Sequence, residues 1–159
     1  MRTRVKGTLV GVALVASFAI ALAGIGAYFV IGNLEKRDAS EVQAVQEMDA
    51  VRARFGARPP LVEIIDVRVA DVRINRLQNR NGVPVTTLHI INWNPESRAL
   101  AQTQVPLWLM RFSSVNLLSQ LGVGPARLRL TVDDIRRYGP GIVVDYGRPG
   151  TFRLMVWAD

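Results

Sequence analysis

From Gly7 to Gly32 the chain carries no charged side chain, and Leu, Val, Ile, Ala and Phe fill most of its positions. No other feature restricts the architecture as much. At 1.5 Å rise per residue, about 20 residues cross a hydrocarbon core of about 30 Å, so this stretch is long enough to span with some tilt. A helix is the natural form, because it satisfies its backbone polar groups within itself. A core helix of a globular domain rarely runs this long without a polar residue. Gly7, Gly11, Gly24, Gly26 and Ala27 also provide small side chains of the kind that permit close helix contact in a membrane.

A cleavable export signal is the competing reading. Met1 to Lys6 would be its basic n-region, and Ala21-Leu22-Ala23 offers an A-x-A cleavage site. The apolar run outlasts that site, however, continuing through Ile25, Tyr28, Phe29, Val30 and Ile31. Cleavage would leave a greasy aromatic N-terminus, so the expectation is a retained anchor over 7–32. Arg2, Arg4 and Lys6 precede it without an acidic neighbour, whereas Lys36 and Arg37 follow it mixed with Glu35 and Asp38. That bias places the tail 1–6 in the cytoplasm and the C-terminal part outside.

The remainder has the size of one domain. It contains 0 Cys, which excludes disulfides, thiolate metal sites, a cysteine nucleophile and a lipidated cysteine. The formal net charge is +7, but three of the basic residues lie before the anchor. Seventeen basic residues then face thirteen acidic ones, a net of +4 with the signs interspersed. This is a mildly basic surface, either solvated or suited to anionic headgroups or wall polymers.

Residues 33–39 are expected to form a polar exit from the membrane. Ser40 with Gln43 three positions on makes a capping-box pattern, and Ala44, Val45, Met48, Val51 and Phe55 share one helical stripe. Gly56 and then Pro59-Pro60 stop the helix. Residues 33–58 therefore read as a stalk whose helix docks one face on the domain or on a second copy, with 59–159 as the domain. Leu61–Ile65 has the look of a buried strand, and Val67, Val69, Val72 and Ile74 continue the extension with a slip near Asp71. Gln78–Pro84 is a loop with Asn81-Gly82 at its tight point.

Thr86–Trp93 and Leu100–Val105, joined by the turn Asn94-Pro95-Glu96-Ser97, form an expected hairpin. Pro106 stands where a helix over Leu107–Leu121 would begin, although Trp108, Leu109, Phe112 and Val115 fall off its stripe. The alternative is a strand-like Val105–Phe112 with the helix starting after Ser113-Ser114. Leu128–Leu130 is extended, Thr131 caps a two-turn helix ending at Tyr138-Gly139, and Ile142–Tyr146 with Thr151–Trp157 makes a terminal hairpin. The fold class is α+β: a transmembrane helix plus a small domain with an antiparallel or mixed sheet and helices packed on one face.

Candidate chemistry is thin. His89, the single histidine, lies in an apolar strand without ligand spacing around it, and reads as a histidine satisfied in the sheet. No G-x-S-x-G, H-E-x-x-H, P-loop or G-x-G-x-x-G occurs. Asp133-Asp134 is explained by helix capping; Arg136-Arg137-Tyr138 with Gly139-Pro140-Gly141 reads as a polar face and a terminator, the rival being an anion nest. Trp93, Trp108 and Trp157 adjoin structural segments and read as core rather than recognition residues. No catalytic, cofactor-binding or metal-binding residue is assigned, and neither nucleic acid nor a small-molecule ligand is expected.

Thr87–Trp93, Val105–Arg111 and Leu130–Asp145 resemble a group of small uncharacterised bacterial membrane-anchored proteins, with an N-terminal anchor, a charged stalk helix and a compact domain ending in a Val-Trp strand. Val67–Gln78 is longer and less regular here. The resemblance implies that layout and a bacterial envelope location, an inner-membrane protein with an external domain, but no activity. The expected function is a non-enzymatic protein-interaction or self-assembly module. The alternatives are an envelope hydrolase using carboxylates such as Asp133 or Asp145, and an accessory domain binding anionic lipid or cell-wall polymer.

Overall fold

The computed structural model of the chain describes residues 32–66, 71–75, 82–111 and 131–159. Residues 7–31 of the expected anchor 7–32, the site Ala21-Leu22-Ala23, the residues 67–70 and 76–81, residues 112–121 of the helix expected over Leu107–Leu121, and the expected strand Leu128–Leu130 lie outside them. Among the described residues no helix is long and apolar enough to cross a membrane. Residues Asn33–Asp159 form one compact unit, a small α+β domain whose described residues make a mixed sheet and two helices.

The elements run β1 (Glu35–Asp38), α1 (Glu41–Phe55), β2 (Val62–Asp66), β3 (Asp71–Ile74), β4 (Thr87–Asn94), β5 (Ala99–Pro106), a 3-10 turn (Leu109–Arg111), α2 (Val132–Tyr138), β6 (Gly141–Tyr146) and β7 (Arg153–Ala158). The sheet order is β1-β5-β4-β7-β6-β2-β3. Among the described residues every pairing is antiparallel except β2 on β6, where Val62 lies opposite Val144. That single parallel contact makes the sheet mixed, and the chain between β2 and β6 is long enough to supply the crossover it needs.

Helix α1 forms where the capping box placed it. Ser40 Oγ accepts from Gln43 N–H, and the Gln43 side chain accepts from Ser40 N–H. At the other end Gly56, at φ +65°, donates its N–H to Arg52 O. Ala44, Met48 and Val51 are buried, and they pack with Ala39 on Ile91, Trp93, Leu100 and Met155. These sheet residues are register partners or alternate along a strand, so α1 covers one face of β5, β4 and β7. Burial of a large apolar side chain contributes roughly 1.5–3 kcal/mol. Trp93, 4 % exposed, sends its indole N–H to Ala39 O at 2.9 Å and fixes the turn between β1 and α1.

The opposite face is buried as well. Leu88, Val156, Val144 and Ala158 alternate with the residues under α1 and are at most 2 % exposed. Burial is thus two-sided in the central strands, which accounts for runs such as Leu154-Met155-Val156 that lack a polar alternation.

Three local expectations are corrected. Residues 33–39 contain the strand β1, all four residues of which are exposed, paired to β5 at the edge of the sheet. The Glu-Lys-Arg-Asp sequence charges that edge and discourages pairing with another chain. Val62–Asp66 and Asp71–Ile74 are two antiparallel strands rather than one continued extension, and the irregularity expected near Asp71 is present, the register shifting between Ile64 and Asp66 opposite Val72 and Asp71. Pro106 ends β5 instead of opening a helix, and Leu107 N–H bonds Thr86 O at 2.8 Å before the turn at Leu109–Arg111. Leu107 and Leu109 are buried while Trp108 is 44 % exposed, so the mixed stripe reflects a turn with alternating burial.

Candidate functional site

The one histidine sits where β4 and β7 lie side by side. His89 is the register partner of Trp157, so both side chains leave the same face. Their rings stack with centroids 4.9 Å apart and planes 5° from parallel. His89 Nε2 is 2.8 Å from Asp159 Oδ1, and Arg54, from the last turn of α1, reaches Asp159 Oδ2 at 3.4 Å. The backbone holds Asp159 from the other side: its carbonyl accepts from the N–H groups of Thr86 and Thr87, and its own N–H donates to Thr87 O. The carboxylate is therefore presented to the imidazole by an extension of the β4–β7 ladder.

A histidine oriented by a carboxylate is half of a general-base arrangement. The other half would be a hydroxyl or thiol on the remaining ring nitrogen, and among the described residues no hydrogen bond to Nδ1 is formed. The imidazole face is occupied by Trp157. The indole Nε1 of Trp157 is buried and has no hydrogen-bond partner among the described residues, at a cost of about 1–3 kcal/mol. Among the described residues no three His, Asp or Glu side chains converge in a way that could hold a metal ion.

Asp145 is bound twice by Arg52 of α1, Nε to Oδ2 and Nη2 to Oδ1, both at 2.7 Å. Arg52 also pairs with Asp49. The hydrogen bonds to Asp145 raise the guanidinium pKa above its ordinary value against the opposing effect of burial. Asp134 is consumed by the second capping box: its Oδ2 accepts from Thr131 N–H at 2.9 Å while its own N–H donates to Thr131 Oγ1 at 3.1 Å. Asp133 is exposed and lies 3.7 Å from Arg136. The two carboxylates singled out for hydrolysis, Asp133 and Asp145, thus each face an arginine.

The Gly139-Pro140-Gly141 segment is taken up by the fold. Gly139 N–H closes α2 on Ile135 O, and proline has no N–H, so two donors of an anion nest are absent. The segment's acceptors serve Arg58, which bonds Tyr138 O and Pro140 O and lays its guanidinium 3.8 Å from the Tyr138 ring centroid. Tyr138 is fully buried, donates its hydroxyl to Pro59 O at 2.6 Å, and has its pKa raised by burial against the effect of Arg58.

Sequence reasoning missed the arginines that organise these ties: Arg52, Arg58 and Arg153. Arg153 pairs with Glu41 at 2.7 Å, and the Gly150 N–H reaches the same carboxylate oxygen. The Arg153 hydrogen bond first and the Gly150 N–H second hold Glu41 below the usual carboxylate range. Each bond spans eighty or more residues, so spacing along the chain carries no signal for it. Comparison with protein-family models, with characterised proteins and with solved structures returned no match to this chain.

Proposed function

We propose that the chain is a single-pass envelope protein of the bacterial inner membrane, anchored through 7–32 with its α+β domain outside. The domain acts as a non-enzymatic module that binds a partner protein or further copies of itself. The observation carrying this reading is the state of its charged groups. Arg52 with Asp145, Arg153 with Glu41, Arg58 on the α2 terminus and Asp134 on Thr131 all tie elements together or cap a helix. The candidate acids are employed in structure, and His89 is stacked and bonded within the sheet.

The long uncharged N-terminal run supports the anchor, and the excess of basic residues before it supports the orientation. The resemblance to small bacterial anchored proteins points to the same location. Crosslinking in native membranes followed by affinity capture of the full chain tests the function. A discrete crosslinked species is expected. Recovery of the uncrosslinked monomer alone, at every crosslinker length, would remove the interaction role.

A further inference from the structure

Strand β1 is joined to the sheet by its backbone and by little else. All four of its side chains are exposed, and the apolar cluster beneath α1 takes in Ala39 but no residue of β1. Its ties among the described residues are the ladder to β5 and one ion pair, Arg37 on Glu47 of α1, in which the arginine side chain is 52 % exposed. A pair so open to water contributes little. The residue after β1 is held far more firmly. Ala39 is buried, donates its N–H to Arg98 O and accepts the indole N–H of Trp93. Local stability follows buried apolar contact and shielded hydrogen bonds, so Asp38 and Ala39 stand at opposite ends of that scale. We infer that β1 is a strap that unpairs from β5 on its own while α1 and the rest of the sheet stay folded, with Ala39 as its stop.

The register gives the strap a signature. Ala39 and Arg98 continue the pairing of β1 with β5, and the Ala39 N–H bonds Arg98 O. Hydrogen-bonded and non-hydrogen-bonded pairs alternate along an antiparallel ladder, so Arg37–Leu100 and Glu35–Gln102 are hydrogen-bonded pairs. The N–H groups of Leu100 and Gln102 therefore face β1. That of Ala101, between them, faces β4, where its partner is Asn92. Opening of the strap frees the first two amides and leaves the third bonded. It also adds Glu35–Asp38 to the free chain ahead of Ala39, about 13 Å of reach at 3.3 Å per residue. That gain makes β1 an adjustable part of a tether, a use that rests on the reading of 7–32 as a membrane anchor. The opening itself does not rest on it.

The test is amide hydrogen exchange of the full chain in detergent micelles, read residue by residue by NMR. Protection of Leu100 and Gln102 should be at least about 100-fold lower than that of Ala101. Their rates should also be nearly independent of low urea, because the opening exposes little surface. Lys36 and Ala101 form a non-hydrogen-bonded pair, whose closely spaced side chains suit a disulfide, and the chain supplies no cysteine of its own. In the oxidised double variant Lys36→Cys/Ala101→Cys, Leu100 and Gln102 should slow to the protection of residue 101, and reduction should restore the difference. One shared protection factor for Leu100, Ala101 and Gln102 in the wild type overturns the strap, as does a clamp that leaves Leu100 and Gln102 fast. Extraction of the chain from native membranes by alkali overturns the tether use and leaves the strap intact.

Discussion

Arg52 grips Asp145 through two parallel hydrogen bonds of 2.7 Å across ninety-three residues of chain, joining α1 to β6. The planar fork of the guanidinium matches the carboxylate, and the geometry cannot be reproduced by lysine. Both side chains keep partial contact with water, at 35 % and 24 % exposure, which lowers the value of the pair from that of a buried one. Asp145→Asn is expected to destabilise the domain by about 1–2 kcal/mol in urea unfolding. In a double-mutant cycle with Arg52→Ala, a coupling of about 1 kcal/mol is expected. Additive effects would show that the Arg52–Asp145 pair contributes nothing to holding α1 on the sheet.

Glu41 gives the acid side of the stability profile a definite shape. Its carboxylate accepts from Arg153 and from the Gly150 N–H, and these bonds lower its pKa in the folded state. A depressed folded pKa contributes stability that is present above the unfolded value, roughly pH 4, and lost as pH falls through the folded one. Glu41→Gln should therefore lower the thermal midpoint at neutral pH. The gap between variant and wild type should close as the pH drops below about 4. A gap that is constant from neutral to acid pH would place the effect in packing rather than in the charge.

Gly141 is required by its neighbour. A Cβ there would stand 2.7 Å from Cε1 of Tyr138, a fully buried ring pinned by its hydroxyl to Pro59 O and covered by Arg58. The ring has no free space to yield into, so Gly141→Ala should cost about 1–3 kcal/mol, the range of overpacked cores. Gly150→Ala is the comparison, because nothing lies within 4 Å of its Cβ position and its strain comes from φ +70° alone. Gly141 itself stands at φ +157°, so its variant carries a backbone cost too, and the excess of its denaturant-midpoint shift over that of Gly150→Ala, at unchanged slope, reports the contact with Tyr138.

Legibility followed the range of the interaction. Both capping boxes, at Ser40–Gln43 and Thr131–Asp134, were readable because cap and partner lie three residues apart. The hairpins β4–β5 and β6–β7 were readable because turn residues separate two apolar runs. The strand β1 was not, since Glu-Lys-Arg-Asp has no strand pattern and pairs only because β5 offers an open edge. Pro106 misled because the residue that opens a helix is equally suited to ending a strand. His89 was read as a sheet residue, and it is one, but its stack on Trp157 and its bond to Asp159 depend on register, which composition does not encode. Arg52, Arg58 and Arg153 were passed over for the same reason.

The same distinction decides whether 33–58 is a stalk or part of the fold. Met48 is 1 % exposed and Ala44 is fully buried, both beneath the helix and against Ile91, Trp93, Leu100 and Met155. Removing residues 1–58 would uncover those four side chains, unpair Trp93 Nε1 from Ala39 O and open the β5 edge along Ala99–Gln102. At roughly 1.5–3 kcal/mol per large side chain, the loss rivals the 5–15 kcal/mol by which ordinary domains are stable. The fragment 33–159 should unfold in one cooperative urea transition, whereas 59–159 should show no cooperative transition and a tendency to associate through the open edge. A cooperative 59–159 with a native Trp93 emission maximum would mean that the helix decorates a sheet already complete without it. The packing of Met48 on Trp93 and Met155 argues that the sheet and the helix fold as one.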